Sequence, residues 1–276
     1  MIDGALPYLT CPVCGETLSM PDERSLRCPR GHAFDVARQG YVNLTTGRSP
    51  HSGDTAEMIA DRDAFLEKGH YDFITKALQE GVRPEPGLIL DAGTGTGRYL
   101  AKLLDTLPDT PGLGIDVSKP ALRRAARAHP RAGAALADLW GPLPLADASV
   151  ALILNVFAPR NGPEFRRVLR PGGLLAVVTP APDHLAELIA AHNLLRVDPG
   201  KADRVAESLG AAFTVVGSAT HRRTLDLTAA ETRTLVGMTP SARHVPMEGM
   251  TARKVTAAVD VTVYKPAFQK ATRGPA

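Results

Sequence analysis

The sequence predicts an α/β fold, a mostly parallel seven-stranded sheet with helices on both faces, preceded by a small N-terminal domain held by metal. Three observations predict it. Short apolar runs alternate with helical stretches from residue 84 onward. A glycine-rich turn, Asp91-Ala-Gly93-Thr-Gly95-Thr-Gly97, follows the first of those runs. Near the start, Cys11-Pro-Val-Cys14 is followed after thirteen residues by Cys28-Pro-Arg-Gly-His32. Alternating strands and helices give a parallel sheet, because a parallel connection must cross back over one face. At 276 residues the chain suffices for one sizeable domain and a small one. The expected division is 1–40 for the metal-held domain, 41–83 for linker and helices, and 84–276 for the sheet domain.

Cys11, Cys14 and Cys28 are the three cysteines of the chain, and His32 completes a set of four donors. Zinc takes four soft or borderline ligands in a tetrahedron, and each short pair supplies two from one tight turn. Disulfides fail on arithmetic, since an odd thiol remains. With every position filled by protein the ion is structural, because metal chemistry needs an open position. Residues 1–34 contain too few apolar side chains for a core, so metal should replace burial there.

Residues 41–56, rich in Gly, Ser, Thr and Pro, read as a linker or loop. Met58, Ile59, Phe65, Leu66, Phe73, Ile74 and Leu78 recur at helical spacing, with Gly69 as a break between two helices. Strands are then expected at 88–91, 112–116, 134–138, 150–155, 174–179, 213–220 and 256–264. Helices are expected at 98–107, 119–128 and 229–236, Arg170-Pro-Gly-Gly173 is a turn, and the end from Ala267 is frayed.

The turn after the first strand lets backbone amides approach a ligand, because glycines remove the obstructing side chains. It lacks the third glycine of the dinucleotide fingerprint, since position 98 is arginine. Gly93, Gly95 and Gly97 at alternating positions after Asp91 resemble instead motif I of the class I S-adenosylmethionine methyltransferases, Rossmann-like enzymes. Asp116, closing the second strand, stands where an acid accepts ribose hydroxyls, and Asp138, at the third, suits an adenine amino group. Each alone could be a turn or cap residue.

The four-ligand knuckle, Tyr41-Val-Asn-Leu, the segment from Arg62 to Tyr71, the Asp91–Gly97 loop and Met238-Thr-Pro240 occur in an order that resembles the bacterial 23S ribosomal RNA guanine-N1-methyltransferases. The resemblance covers nearly the whole chain. It implies S-adenosylmethionine and structural zinc as cofactors, a domain II hairpin of 23S rRNA as partner, and cofactor contacts from Tyr71, Gly97, Arg98 and His184. It is compatible with a homodimer. The family modifies guanine 745 or guanine 748, the latter type being linked to resistance to tylosin and related macrolides. His51-Ser-Gly-Asp-Thr and the Ala-, Gly-, Pro- and Arg-rich composition resemble the 748 type.

A paired guanine hides N1, so the base must be unpaired or flipped. Asn155 and Phe157, following the fourth strand, are the expected guanine contacts, or else part of a plain connection. No general base is identifiable; Asp63, His70 and His184 are candidates. Lys119, Arg123, Arg124, Arg127 and Arg131 form an all-basic run that would track phosphates or simply be a solvated helix face. The first fifty residues balance five Arg against five Asp plus Glu, so Arg24, Arg27 and Arg30 would read RNA shape. The formal charge of +3 permits nucleic acid without demanding it. No signal peptide and no membrane span is evident, and a cytoplasmic protein is expected. Two rival readings are a small-molecule methyltransferase and a non-catalytic zinc-ribbon protein.

Overall fold

The computed structural model describes residues 2–47, 51–195 and 200–267. β1 (Ser19–Asp22), β2 (Ser25–Arg27) and β3 (Ala33–Asp35) form a three-stranded antiparallel sheet at the N-terminus. β4 (Val42–Asn43) leads to α1 (Ala56–Glu67), which Thr55 caps by accepting the Met58 N–H, and to α2 (Asp72–Gly81). Gly69, with φ +75°, makes the turn between these helices. There follow β5 (Leu88–Ala92), α3 (Arg98–Leu104), β6 (Gly112–Asp116), α4 (Lys119–Ala128), β7 (Ala132–Leu136), β8 (Val150–Val156), α5 (Gly162–Val168) and β9 (Leu169–Pro180). The chain ends with α6 (Ala186–His192), α7 (Lys201–Leu209), β10 (Phe213–Leu227), α8 (Ala229–Gly237) and β11 (Arg253–Pro266).

All seven expected strands are present in the large sheet, in the order β10-β11-β9-β8-β5-β6-β7, and β4 adds an eighth at the β7 edge. Pairing is parallel from β4 to β9 and antiparallel for β9-β11 and β11-β10. Strand order reverses between β5 and β8, so a crevice opens beyond their C-terminal ends. The fully buried Leu88–Leu90 and Val150–Leu154 explain why these strands read as continuous apolar runs.

Several boundaries shift. Residues 41–56 are not all loop, because Val42 and Asn43 pair with Ala135 and Leu136. The third strand runs from Ala132 to Leu136, which leaves Asp138 two residues beyond it. Arg170-Pro-Gly-Gly173 lies inside β9 as an irregularity, with Gly172 at φ +79° and a register shift against β8. Helices α5, α6 and α7, of 7, 7 and 9 residues, are too short for a strong periodic signal. The expected fraying lies, beyond Ala267 itself, outside the described residues.

The N-terminal module does not stand apart. Ile2, Leu9, Leu26 and Phe34 are buried in one cluster with Leu88, Leu113, Leu139 and Leu145 of the sheet domain. The Leu9–Leu145 bridge and the Thr10 N–H to Pro144 carbonyl bond (3.1 Å) join the two backbones. Gly133 in β7 leaves room for Ile2, whose Cα would lie 3.0 Å from a Cβ there. The few apolar residues of the module therefore serve its seat on the sheet, while the four donors serve its interior.

Candidate functional site

The donors of the N-terminal module converge. Cys14 Sγ lies 3.7 Å from Cys28 Sγ, and His32 Nδ1 lies 3.2 Å from Cys28 Sγ and 3.5 Å from Cys11 Sγ. All four ligand atoms fall within 4.8 Å of one another. A tetrahedron with bonds of about 2.3 Å to sulfur has sulfur–sulfur edges near 3.8 Å, so the set matches zinc without rearrangement. Gly15 and Gly31, at φ +75° and +84°, turn the two knuckles and donate to the carbonyls of Cys11 and Cys28. Desolvation opposes ionisation of the Cys28 thiol, but the amides of His32 and Arg30 outweigh it and bring it down to about 6.

A cleft of about 780 Å³ opens at the C-terminal ends of β5, β6 and β8, within the range of small-molecule sites. Gly93 and Gly95 form one wall. A Cβ on Gly93 would lie 2.4 Å from the Ala158 Cβ, so that position admits backbone alone. Asp116 Oδ2 accepts the Gly95 N–H at 2.9 Å and Oδ1 accepts the Ser118 N–H at 2.8 Å. Burial raises the Asp116 pKa against these two amides, and the residue lines the cleft. Asp138 accepts the Trp140 N–H at 3.0 Å and lies 2.7 Å from His51 Nδ1.

At the other end Tyr71, Phe157 and His184 gather, with ring centroids 6.0–6.4 Å apart. His184 Nδ1 accepts the Ala258 N–H at 3.2 Å, which assigns the proton to Nε2, 3.4 Å from Tyr71 Oη. Burial depresses the His184 pKa to about 4 and pushes the Tyr71 phenol well up, so both are neutral at pH 7. Phe157 is 42% exposed and has φ +54°, a conformation that costs a non-glycine residue about 1–2 kcal/mol.

Asp116, Asp138, Tyr71, His184, Gly93, Gly95 and Phe157 thus share one cleft, and the other expected residues do not line it. Asp91 is buried beneath the loop, where its Oδ2 accepts from Thr94 Oγ1 at 2.8 Å; burial raises its pKa to about 7. Gly97 allows α3 to approach α4, since a Cβ there would lie 2.9 Å from Ala125 Cα. Arg98 pairs with Asp72 at 3.0 Å. Asn155 is fully buried and its Nδ2 donates to the carbonyls of Ala92 and Pro159, which braces the β8 exit. Asp63 pairs with Arg124 and His70 with Glu231, and neither lines the cleft.

Arg62 is the residue that sequence reasoning missed. Its guanidinium pairs with Asp54 at 2.6 Å, donates to the Met238 carbonyl at 3.0 Å, and lies 3.4 Å from where a Gly95 Cβ would be. The available signal was a lone arginine among Met58, Ile59, Phe65 and Leu66 on α1, a charge set beside a buried stripe. The strip from His51 to Asp54 also lines the cleft, and Ser118 Oγ donates to the Asp54 carbonyl at 2.8 Å.

The zinc-ribbon model described as "RlmA, N-terminal" matches residues 9–52, and a methyltransferase-domain model matches residues 89–173. The chain is 57% identical, over 95% of its length and 98% of the relative's, to a Micromonospora griseorubida protein named provisionally as a 23S rRNA (guanine-N1)-methyltransferase. It is 48% identical, over 94% and 97%, to the 23S rRNA (guanine(748)-N1)-methyltransferase of Streptomyces fradiae. Among solved structures, a chain from the complex of the Haloferax volcanii Trm112 methyltransferase activator with its provisionally assigned methyltransferase shares the fold. There the TM-score is 0.54 at 19% identity, covering 79% of this chain and 100% of that one.

Proposed function

The chain belongs to the family of 23S rRNA (guanine-N1)-methyltransferases, and from that premise we propose that it methylates guanine 748 in a domain II hairpin, conferring macrolide resistance. It is an S-adenosylmethionine-dependent enzyme with a structural zinc. The position of the target guanine is supported by the likeness to the Streptomyces fradiae enzyme, whose name specifies it. Among the described residues no helix is long and apolar enough to cross a membrane. A cytoplasmic location and a homodimer complete the reading; sedimentation tests the latter.

The observation that carries the site assignment is that two acidic loop ends and an exposed aromatic open on one cleft. Asp116 would accept the ribose hydroxyls and Asp138 the adenine amino group, with the loop from Gly93 to Gly95 against the donor's backbone side. Arg62, steered by Asp54, is placed to hold the methionine carboxylate, a role that the sequence suggested for Arg98. Tyr71 and His184, both neutral, close the cleft with no charge to compete for the donor's cationic sulfur. S-adenosylmethionine supplies an electrophilic methyl group there.

Phe157 offers a face on which a flipped guanine stacks, worth about 1–3 kcal/mol by analogy with other base–aromatic contacts. Stacking fixes N1 toward the methyl group, and alignment of this kind can supply several kcal/mol of the barrier. Formation of the N1–methyl bond would break the donor's carbon–sulfur bond, and the N1 proton would pass to solvent water, because His184, with Nδ1 engaged, Nε2 protonated and its pKa low, has no lone pair to offer.

The test is methylation of the domain II hairpin followed by primer extension. A stop at guanine 748 is expected, because an N1 methyl blocks pairing. A stop at guanine 745 would transfer the chain to the other type, and no stop would refute the assignment of this substrate.

A further inference from the structure

The all-basic run on α4 separates into two sets once side chains are placed. Arg124 is spent on Asp63, with Nε 2.6 Å from the carboxylate. Arg131 is spent on the carbonyls of Leu104 and Thr110, at 2.6 and 3.0 Å, and on that of Leu107. Lys119, Arg123 and Arg127 are exposed, and among the described residues none of them takes part in an ion pair. They stand four residues apart, one per turn, opposite the stripe of Ala121, Leu122 and Ala125 that packs on the sheet. Cations at such spacing repel one another by a few tenths of a kcal/mol per pair. Only Arg127, in the last turn of α4, gains from the helix dipole in return.

Two contacts decide where this row leads. At its first end Ser118, the N-cap, adjoins Asp116 and Val117 of the cleft wall and donates to the Asp54 carbonyl. At its other end the turn after β3 lies against α4, where a Gly40 Cβ would be 3.5 Å from the Ala126 Cβ. Ala37 and Ala126 pack there on Tyr41, Leu122 and Ala125. That turn carries exposed Arg38, which likewise has no ion pair among the described residues. The row therefore spans from the end of the zinc-ribbon module to the mouth of the cleft.

We propose that Arg38, Arg127, Arg123 and Lys119 form a phosphate track that carries one RNA strand from the zinc ribbon to the cleft. The proposal rests on the RNA-substrate reading and assigns it a surface. Contacts to phosphates fix the register and add affinity without reading sequence. The ribbon and the active site thereby act on one continuous substrate.

The test compares the wild-type protein with the triple variant Lys119→Gln, Arg123→Gln, Arg127→Gln, using a 23S rRNA domain II hairpin across a range of KCl concentrations. Three lost contacts should reduce the slope of log affinity against log salt by about 2 to 3 and weaken binding roughly 100-fold near 0.1 M salt. Zinc content and S-adenosylmethionine affinity by calorimetry should not change. Should the triple variant fold poorly, Arg127→Gln alone should weaken binding about 5- to 8-fold. Arg223→Gln, an exposed arginine on β10 at the far edge of the sheet, is the control and should bind as wild type. An unchanged salt slope, or an equal loss in the β10 variant, overturns the track. Wild-type protein that fails to bind the hairpin at all would defeat the RNA reading itself, and the track with it.

Discussion

The zinc ribbon and the large sheet solve the same problem with opposite means. The ribbon draws together three thiols and an imidazole within 4.8 Å and sends its apolar side chains outward to the sheet. The sheet holds no metal-ligating cluster among the described residues and buries Leu88, Ile89, Leu90, Leu152 and Ile153 completely. One region is organised by a few strong bonds, the other by many weak ones. The two should therefore fail differently. Removal of one ligand ought to empty the ribbon, whereas the sheet should lose stability by increments.

Cys28→Ser tests this with the largest effect. A structural zinc contributes on the order of 10 kcal/mol to the folding of its module, so loss of a ligand should unfold residues 9–35 and abolish rRNA methylation. Cofactor affinity should stay within a few-fold, because no zinc ligand lines the cleft. Zinc content, calorimetry with S-adenosylmethionine and primer extension read the three. Loss of cofactor binding together with zinc would break the comparison.

Leu26→Ala, at the seat of the ribbon, comes next. Leu26 is fully buried between the two regions, and truncation there should cost about 2–5 kcal/mol. The zinc should remain. In urea the variant should expose the ribbon before the sheet, visible as separate transitions where wild type shows one. A single shifted transition would mean that the module and the sheet are one cooperative unit.

Asp116→Asn acts on the sheet side alone. An asparagine cannot accept from both Gly95 and Ser118, so one amide loses its partner and the loop loses a charge-assisted bond worth about 1.5–3 kcal/mol. Cofactor affinity should fall roughly 10- to 100-fold with zinc content unchanged. Equal affinity by calorimetry would remove Asp116 from the ribose site.

These experiments also separate what the sequence made legible from what it hid. The ligand spacing and the Asp91–Gly97 turn were readable because both depend on short-range geometry: two donors per knuckle, and glycines at φ +85°, +54° and +80°. Asp116 was readable because a strand end fixes it. The place of Arg62 on the cleft wall was hidden, since it depends on how α1 crosses the loop some thirty residues later in the chain. Asn155 was ambiguous because a polar residue at a strand exit suits a base contact and a backbone brace equally well. The seat of the ribbon was hidden for the same reason as Arg62: Leu9 meeting Leu145 is a matter of tertiary packing.

The smallest effect concerns pH, and the difference it makes between variant and wild type arises in the sheet. His184 has its pKa lowered to about 4 by burial, while an unfolded histidine titrates near 6.5. Between those values the unfolded chain binds more protons than the folded one. The contribution is full above about pH 6.5 and is lost as pH falls toward 4, roughly 2 kcal/mol between pH 7 and 5. Asp91 works in the opposite sense: its pKa is raised to about 7, so it favours the folded state at low pH and loses that advantage as pH rises from about 4 to 7. The two slopes offset each other in the wild-type protein. In His184→Gln, the amide oxygen can still accept the Ala258 N–H but does not titrate, so the Asp91 slope stands alone. Urea unfolding should show the variant gaining stability relative to wild type as pH drops from 7 to 5, with equal zinc content in the two proteins at each pH. Parallel pH profiles would mean that His184 titrates alike in the folded and the unfolded chain, so that burial does not depress its pKa.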